Sequence, residues 1–192
     1  ALSATSSNGY KTWDLVLRSG VTFHDGSAFT GDDVVANFQA ALSDATVGPA
    51  IIPILSSVTN SDATHVRFNL AIPFNALPYW LAEQQVAFIA SGKNWDTSAT
   101  AATNNTKTNA PLSLAFESLA GIDGPVGTGP FKLADWKHGD NLRYASNKSY
   151  WQPGKPYLDE VIAKIITQAA ARLQALQAGE IDLVQLIQVS DL

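Results

Sequence analysis

Two runs of alternating apolar and polar residues predict β-strands in the first half of the chain. Apolar side chains alternate from Trp13 to Leu17 and again from Val66 to Ile72, where Pro73 ends the second run. A period of two puts every second side chain on one face, so each run predicts a strand with one buried face. The dipeptide Asn8-Gly9 is typical of a tight turn and predicts one just before the first strand.

Apolar residues at helical spacing predict an amphipathic helix from Gly31 to about Leu42. Thr30 stands at the N-cap position, and Asp33 at the third helical position gives an arrangement close to a capping box. A shorter helix is predicted from Pro78 to Gln85, because proline suits the first turn of a helix.

The second half of the chain predicts a further mixture of strands and a helix. The predicted elements are a hairpin with strands around Phe131–Leu133 and Leu142–Tyr144, a strand from Glu160 to Ile166, a helix from Gln168 to Ala178 that stops at Gly179, and a closing strand over the sequence EIDLVQLI. Residues 96–110 are rich in Thr, Ala and Asn, which predicts an exposed loop or insertion. The fold class predicted is therefore mixed α/β (α+β).

Composition and charge exclude several classes of protein. The 192 residues carry a net charge of −5, and the lysines and arginines are scattered singly, whereas nucleic-acid binding needs a basic face. We therefore expect no nucleic-acid partner. No apolar run approaches the roughly 20 residues that cross a bilayer. With no cysteine, the chain has no disulfide, thiolate nucleophile or cysteine-ligated metal site.

The Gly-Thr-Gly sequence at 127–129 could be mistaken for a phosphate-binding loop. Such a loop leads into a helix, whose N-terminal N–H groups hold the anion. Here Pro130 and a strand pattern follow, so the sequence argues against nucleotide binding. It predicts instead a tight bend, in which Gly127 and Gly129 supply positive φ and Pro130 fixes the exit.

Neither the histidines nor the adjacent carboxylates predict catalysis or metal binding. The histidines are His24, His65 and His138, at spacings that match no zinc signature. The carboxylates occur as the pairs Asp32/Asp33 and Asp159/Glu160, and sequence neighbours point in different directions. Since no catalytic motif occurs either, we expect no enzymatic activity, no catalytic residue, no metal site and no cofactor.

Aromatic residues near element ends are candidates for lining a ligand cleft. They are Tyr79, Trp80, Trp95, Trp136 and Trp151. Most are expected to lie in the core, and one or two are available for a cleft.

Two long stretches resemble one protein family. The first runs from Lys11 to Leu42, with a strand ending in Leu-Arg, then GVTFHDG, then Thr-Gly-Asp-Asp-Val before a helix. The second runs from Val126 to Val184 and contains GTGPF, NKSYW, PYLD and ARLQALQAGEID. In order and spacing they resemble the extracytoplasmic solute-binding proteins of peptide and nickel ABC importers, known as family 5.

The resemblance implies a periplasmic-binding-protein-like lobe with a mixed sheet and flanking helices. It implies that residues 1–125 form a lobe-one subdomain with a variable insertion near 96–117. Residues 126–192 would return to the main sheet of that lobe and end near the hinge. A second lobe would be absent, so we expect the chain to be part of a longer protein.

The resemblance also implies a function, which is to bind a solute in a hinged cleft and deliver it to a membrane permease outside the cytoplasm. Short peptides are the expected solute, and the expected binding residues are Trp80, Val126, Gly127 and Thr128. The protein is expected to be a monomer, with membrane anchoring left open. The alternatives are a nickel or metal-complex carrier of the same fold and a ligand sensor that docks on a receptor.

Overall fold

A computed structural model describes residues 1–44, 47–84, 87–91 and 126–184. The first four strands are β1 (Ser3–Ser7), β2 (Thr12–Val16), β3 (Leu55–Asn60) and β4 (His65–Leu70). They form an antiparallel sheet in the order β1-β2-β4-β3. The predicted turn at Asn8-Gly9 is confirmed, and it joins β1 to β2 with Asn8, Gly9 and Tyr10 at positive φ.

Helix α1 (Gly31–Ser43) covers one face of this sheet and closes the main apolar core. Phe38 of α1 is 1% exposed, and its ring meets that of Phe68 edge to face at 5.0 Å between centroids. Phe68 lies opposite Trp13 in β2 and Val58 in β3, and both are buried. The alternation that predicted these strands thus reflects burial of every second side chain against α1.

The N-terminus of α1 is fixed by its own cap and by the turn between β3 and β4. The backbone N–H of Thr30 donates to the Asp33 carboxylate at 2.8 Å, as the predicted capping arrangement requires. The N–H of Gly31 donates to the carbonyl of Ala63 at 2.8 Å. A Cβ at position 31 would approach the Asp62 carbonyl to 2.8 Å, so any other residue would force the helix start or the β3–β4 turn to shift.

Three further strands form a second antiparallel sheet in their chain order. They are β5 (Phe131–Lys137), β6 (Asn141–Ser146) and β7 (Glu160–Lys164). The adjacent carboxylates pair with different cations, since Arg143 donates to Glu160 at 2.6 Å and Lys148 to Asp159 at 3.0 Å. The remaining helices of the described residues are α2 (Gly48–Ile51), α3 (Leu77–Glu83) and α4 (Ala169–Gln177).

The predicted mixed fold class is confirmed, while several predicted boundaries shift. The second strand ends at Leu70, so Ile72 lies outside it and is 48% exposed. The strand predicted to reach Ile166 ends at Lys164, because the Ile166 carbonyl instead accepts a hydrogen bond from Arg172 at 2.9 Å. The predicted loop at 96–110 lies outside the described residues.

The closing strand predicted over EIDLVQLI is wrong for residues 180–184, and its remainder lies outside the described residues. Gly179 has φ +72° and ends α4 as predicted. The N–H of Glu180 donates to Ala175 at 2.9 Å and that of Gly179 to Leu176 at 3.1 Å, which is the Schellman arrangement. The N–H groups of Gly179 and Glu180 therefore cap α4 and do not pair with a neighbouring strand. Across the described ranges, no helix is long and apolar enough to span a bilayer.

Candidate functional site

An apolar cavity of about 910 Å³ lies between the first sheet and the β5–β6 hairpin. Its floor is formed by core residues of β2, β4 and α1, which include Leu15, Phe68 and Phe38. Its walls come from residues 1–4, from α3, from 87–90 and 126–129, and from Phe131, Leu133 and Tyr144 of the hairpin. The described lining residues include His24 and no Asp, Glu, Lys or Arg. The volume lies within the range typical of small-ligand pockets.

Asn37 holds one wall of the cavity in place from within the core. This residue of α1 is 4% exposed. Its side-chain N–H donates to the Ala90 carbonyl at 2.7 Å, and its side-chain oxygen accepts from the Ala90 N–H at 3.0 Å. A second donation goes to the Asp33 carbonyl of the same helix at 2.7 Å. The amide therefore satisfies both backbone groups of a buried residue and fixes segment 87–91 against α1.

Residues 126–129 form a second wall, which both main-chain and side-chain hydrogen bonds hold in place. The carbonyl of Val126 accepts from the N–H of Ser91 at 3.0 Å, which joins this wall to segment 87–91. The carbonyl of Gly127 accepts from the N–H of His24 at 2.9 Å. The sequence GVTFHDG, which precedes α1, thus binds the Gly-Thr-Gly sequence more than a hundred residues later in the chain.

The His24 side chain adds a second link to the same wall. Its Nε2 lies 3.1 Å from the Gly129 carbonyl, and because a carbonyl only accepts, Nε2 carries the proton. Nδ1 is buried and has no hydrogen-bond partner among the described residues. The Asn147 side chain also donates to the Gly129 carbonyl at 3.0 Å.

The structure corrects the predicted role of the two glycines at the bend. Neither Gly127 nor Gly129 has positive φ. A Cβ on Gly127 would lie 3.9 Å from the His24 ring, which is ordinary contact. The chain does bend at Gly129 and Pro130 and then enters β5. No helix follows, so the feature that a phosphate loop requires is absent at this point of the described chain.

Three of the four predicted binding residues lie in the cavity wall. Val126, Gly127 and Thr128 all line it. Trp80 does not: it lies half-buried in α3 and packs against the core of the first sheet, while its neighbour Leu81 lines the cavity. A solute-binding role for these four residues stays a prediction.

Three other predicted aromatic candidates, Tyr79, Trp136 and Trp151, do not line the cavity. Trp136 stacks on His138 at 4.1 Å, and Trp151 lies 4.3 Å beneath the Arg18 guanidinium. Tyr79 is 79% exposed on α3, and Trp95 lies outside the described residues.

Sequence reasoning missed Phe88, an aromatic residue that lines the cavity although it is 69% exposed. It lies in the short apolar sequence AFIAS, which has no periodicity that predicts an element. Its placement depends on the hydrogen bonds between Asn37 and Ala90, which are 53 positions apart. No pattern in the local sequence predicts such a contact.

The described residues contain no cluster suited to a metal ion. Among them, no three or more His, Asp or Glu side chains converge. His65 instead hydrogen-bonds Asp62 at 2.9 Å in the exposed turn between β3 and β4. The hydrogen bond from His65, followed by those from Thr64, holds the pKa of Asp62 well below its usual value. That pair therefore stabilises a turn remote from the cavity.

Comparisons with known proteins agree with this architecture. The sequence model described as "Bacterial extracellular solute-binding proteins, family 5 Middle" matches residues 1–192. The oligopeptide-binding protein AppA of Bacillus subtilis is 30% identical over 177 residues, which cover 91% of this chain and 30% of AppA. The glutathione-binding protein GsiB of Escherichia coli K12 is 29% identical over 185 residues, which cover 94% of this chain and 32% of GsiB.

Solved structures show the same fold. AppA from Bacillus subtilis in complex with a nonapeptide gives a TM-score of 0.66 at 29% identity, over 93% of this chain and 33% of AppA. NikZ from Campylobacter jejuni in complex with Ni(L-His) gives 0.73 at 23% identity, over 94% of this chain and 33% of NikZ, a likeness of fold alone. The chain spans about a third of the length of these relatives. Because the family match extends over all of its residues, the chain belongs to the family 5 bacterial extracellular solute-binding proteins.

Proposed function

We propose that this chain is part of the substrate-binding component of an ABC importer, which binds short peptides and delivers them to a membrane permease. The observation that carries the proposal is the family match over residues 1–192. The relatives AppA and GsiB are oligopeptide- and glutathione-binding proteins, which supports a binding role without catalysis. We also propose that it acts outside the cytoplasm, in keeping with the family's description as extracellular.

The cavity wall supports peptides as the solute. Within the described part of the chain, the N–H groups of Gly127 and Thr128 have no acceptor, while the Val126 and Gly127 carbonyls are already bonded. Main-chain N–H groups in the wall of an apolar cavity can donate to the carbonyl groups of a peptide backbone. Recognition through main-chain groups and ordered water also tolerates many peptide sequences.

A hinge motion of a two-lobed protein would complete the site. In this proposal, residues 1–125 and 126–192 belong to one lobe, and the solute closes a second lobe onto it. Hinge closure of this kind is the mechanism that the periplasmic binding proteins exemplify. A solute shifts the balance only as far as it prefers the closed form.

Thermal melting of the gene product that contains this chain tests the proposal. A mixed library of short peptides and, separately, nickel–histidine complexes are added to the purified protein. A ligand specific for the native state stabilises it by about 2.7 kcal/mol at a hundredfold excess over its Kd. We expect the peptides to raise the Tm. A rise with the nickel complexes alone would favour the metal-complex alternative, and no rise with either would refute the proposal.

Delivery to a permease needs a separate assay. The peptide-loaded protein should stimulate ATP hydrolysis by its ABC permease reconstituted in vesicles, and the unloaded protein should stimulate it less. Equal stimulation by both forms would contradict a transport role and leave a sensing role as the better proposal.

A further inference from the structure

The chemical character of the cavity restricts which side chain of a solute it can take. Among the described residues, its lining contains no Asp, Glu, Lys or Arg, and Leu15, Phe38 and Phe68 of the core form its floor. A charged side chain placed there would lose water without gaining an opposite charge, which is strongly unfavourable. An apolar side chain would instead bury its surface against aromatic and aliphatic residues.

Phe88 is the lining residue best placed to meet such a side chain. It is 69% exposed, although its backbone neighbourhood is firmly held. Two residues further on, Ala90 is bonded to Asn37 through both its N–H and its carbonyl. On the other side, the N–H of Ala87 donates to Gln84 at 3.1 Å. A large apolar side chain held open at the mouth of an apolar cavity is typical of a contact residue for a ligand.

We propose that this cavity receives an uncharged, apolar side chain of the bound peptide, and that Phe88 contacts that side chain and favours it over charged ones. The inference rests on the proposed peptide-binding function and adds a preference within it. The volume of about 910 Å³ exceeds what one side chain fills, so residues from leucine to tryptophan fit together with ordered water.

Isothermal titration of the gene product that contains this chain tests the preference. The ligands are tripeptides of alanine in which Phe, Leu, Asp or Lys replaces each position in turn. We expect one position at which Phe and Leu bind about 10- to 100-fold more tightly than Asp and Lys, as burial of a large apolar side chain implies. Equal affinity for Phe and Asp at every position would overturn the inference and leave peptide binding intact. Failure of every peptide to bind would overturn the proposed function and the inference with it.

Two matched variants assign the preference to Phe88. Phe88→Ala removes an exposed aromatic that lines the cavity, and Tyr79→Ala removes one that is 79% exposed on α3 and does not line it. Loss of an aromatic contact should weaken the Phe-containing peptide about 3- to 10-fold in Phe88→Ala. Its affinity for the Asp-containing peptide should stay unchanged, and Tyr79→Ala should alter neither. Equal weakening of both peptides in Phe88→Ala would contradict a selective contact.

A spectroscopic readout is independent of affinity. Because the chain has no cysteine, Phe88→Cys and Tyr79→Cys each give one attachment point within it for a thiol-reactive dye sensitive to polarity. Saturation with the Phe-containing peptide should shift the emission at position 88 to the blue and leave position 79 unchanged. A shift at both positions or at neither, in protein that binds the peptide, would place the side chain elsewhere.

Discussion

Replacing Asn37 with alanine should destabilise the protein strongly. The substitution removes the donor to the Ala90 carbonyl and the acceptor for the Ala90 N–H, and Ala90 is only 4% exposed. A buried group left without its partner costs about 1 to 3 kcal/mol, so two such groups cost about 2 to 6 kcal/mol. Water entering from the adjacent cavity offsets part of this, and we expect a loss of about 3 kcal/mol in the free energy of unfolding.

Urea unfolding followed by tryptophan fluorescence measures this loss, and hydrogen exchange locates it. Gln39→Ala is the matched control, since it removes an exposed amide from the same helix and should change stability by less than about 0.5 kcal/mol. Amides of segment 87–91 should exchange faster in Asn37→Ala and not in the control. If Asn37→Ala costs no more than Gln39→Ala, the amide does not hold this wall and the argument for a fixed Phe88 fails.

Three further substitutions test contacts at the start of α1, in the cavity wall and in the β3–β4 turn. Gly31→Ala forces a Cβ to 2.8 Å from the Asp62 carbonyl, so urea unfolding should show a loss of about 1 to 3 kcal/mol. Gly127→Ala meets only ordinary contact with the His24 ring, and an equal loss there would contradict the steric reasoning. Asp62→Asn should destabilise the β3–β4 turn at neutral pH, because hydrogen bonds from His65 and Thr64 lower the pKa of Asp62. Because its pKa is lowered, ionised Asp62 stabilises the folded protein fully above the usual aspartate pKa, and this stabilisation is lost in acid. The difference in the free energy of unfolding between wild type and Asp62→Asn should therefore narrow below about pH 4. A difference that is constant with pH would refute this reasoning.

The sequence predicted the elements whose signals are local. Strand β2 follows from alternation within five residues, and the start of α1 follows from Thr30 and Asp33 alone. Strand β1 was not predicted, because its residues Ser-Ala-Thr-Ser-Ser are mostly exposed and have no apolar alternation. Its conformation comes from pairing with β2 across the turn at Asn8-Gly9. Such pairing cannot be read from the residues of β1 themselves.

The site was less accessible from the sequence than the fold. Val126, Gly127 and Thr128 were chosen because they follow an element end that faces the expected cleft, and they do line the cavity. Trp80 was chosen because it follows an element end, yet packing against the core decides where its ring lies. The position of Phe88 depends on a hydrogen bond between Asn37 and Ala90, which are 53 positions apart. Such a contact becomes visible only when the fold has brought α1 against segment 87–91.

The same hydrogen bonds form the walls of the cavity and connect the two sheets. His24, between β2 and α1, and Ser91, after α3, donate through their N–H groups to Gly127 and Val126, which lead into the second sheet. A substitution that disturbs these walls should therefore change stability and solute binding together, and a lower affinity alone would not identify a contact residue. Phe88 differs because its ring is largely exposed and its backbone is held by Asn37. Its side chain can thus be removed without breaking the hydrogen bonds that connect the two sheets, so substitutions at position 88 report on binding alone.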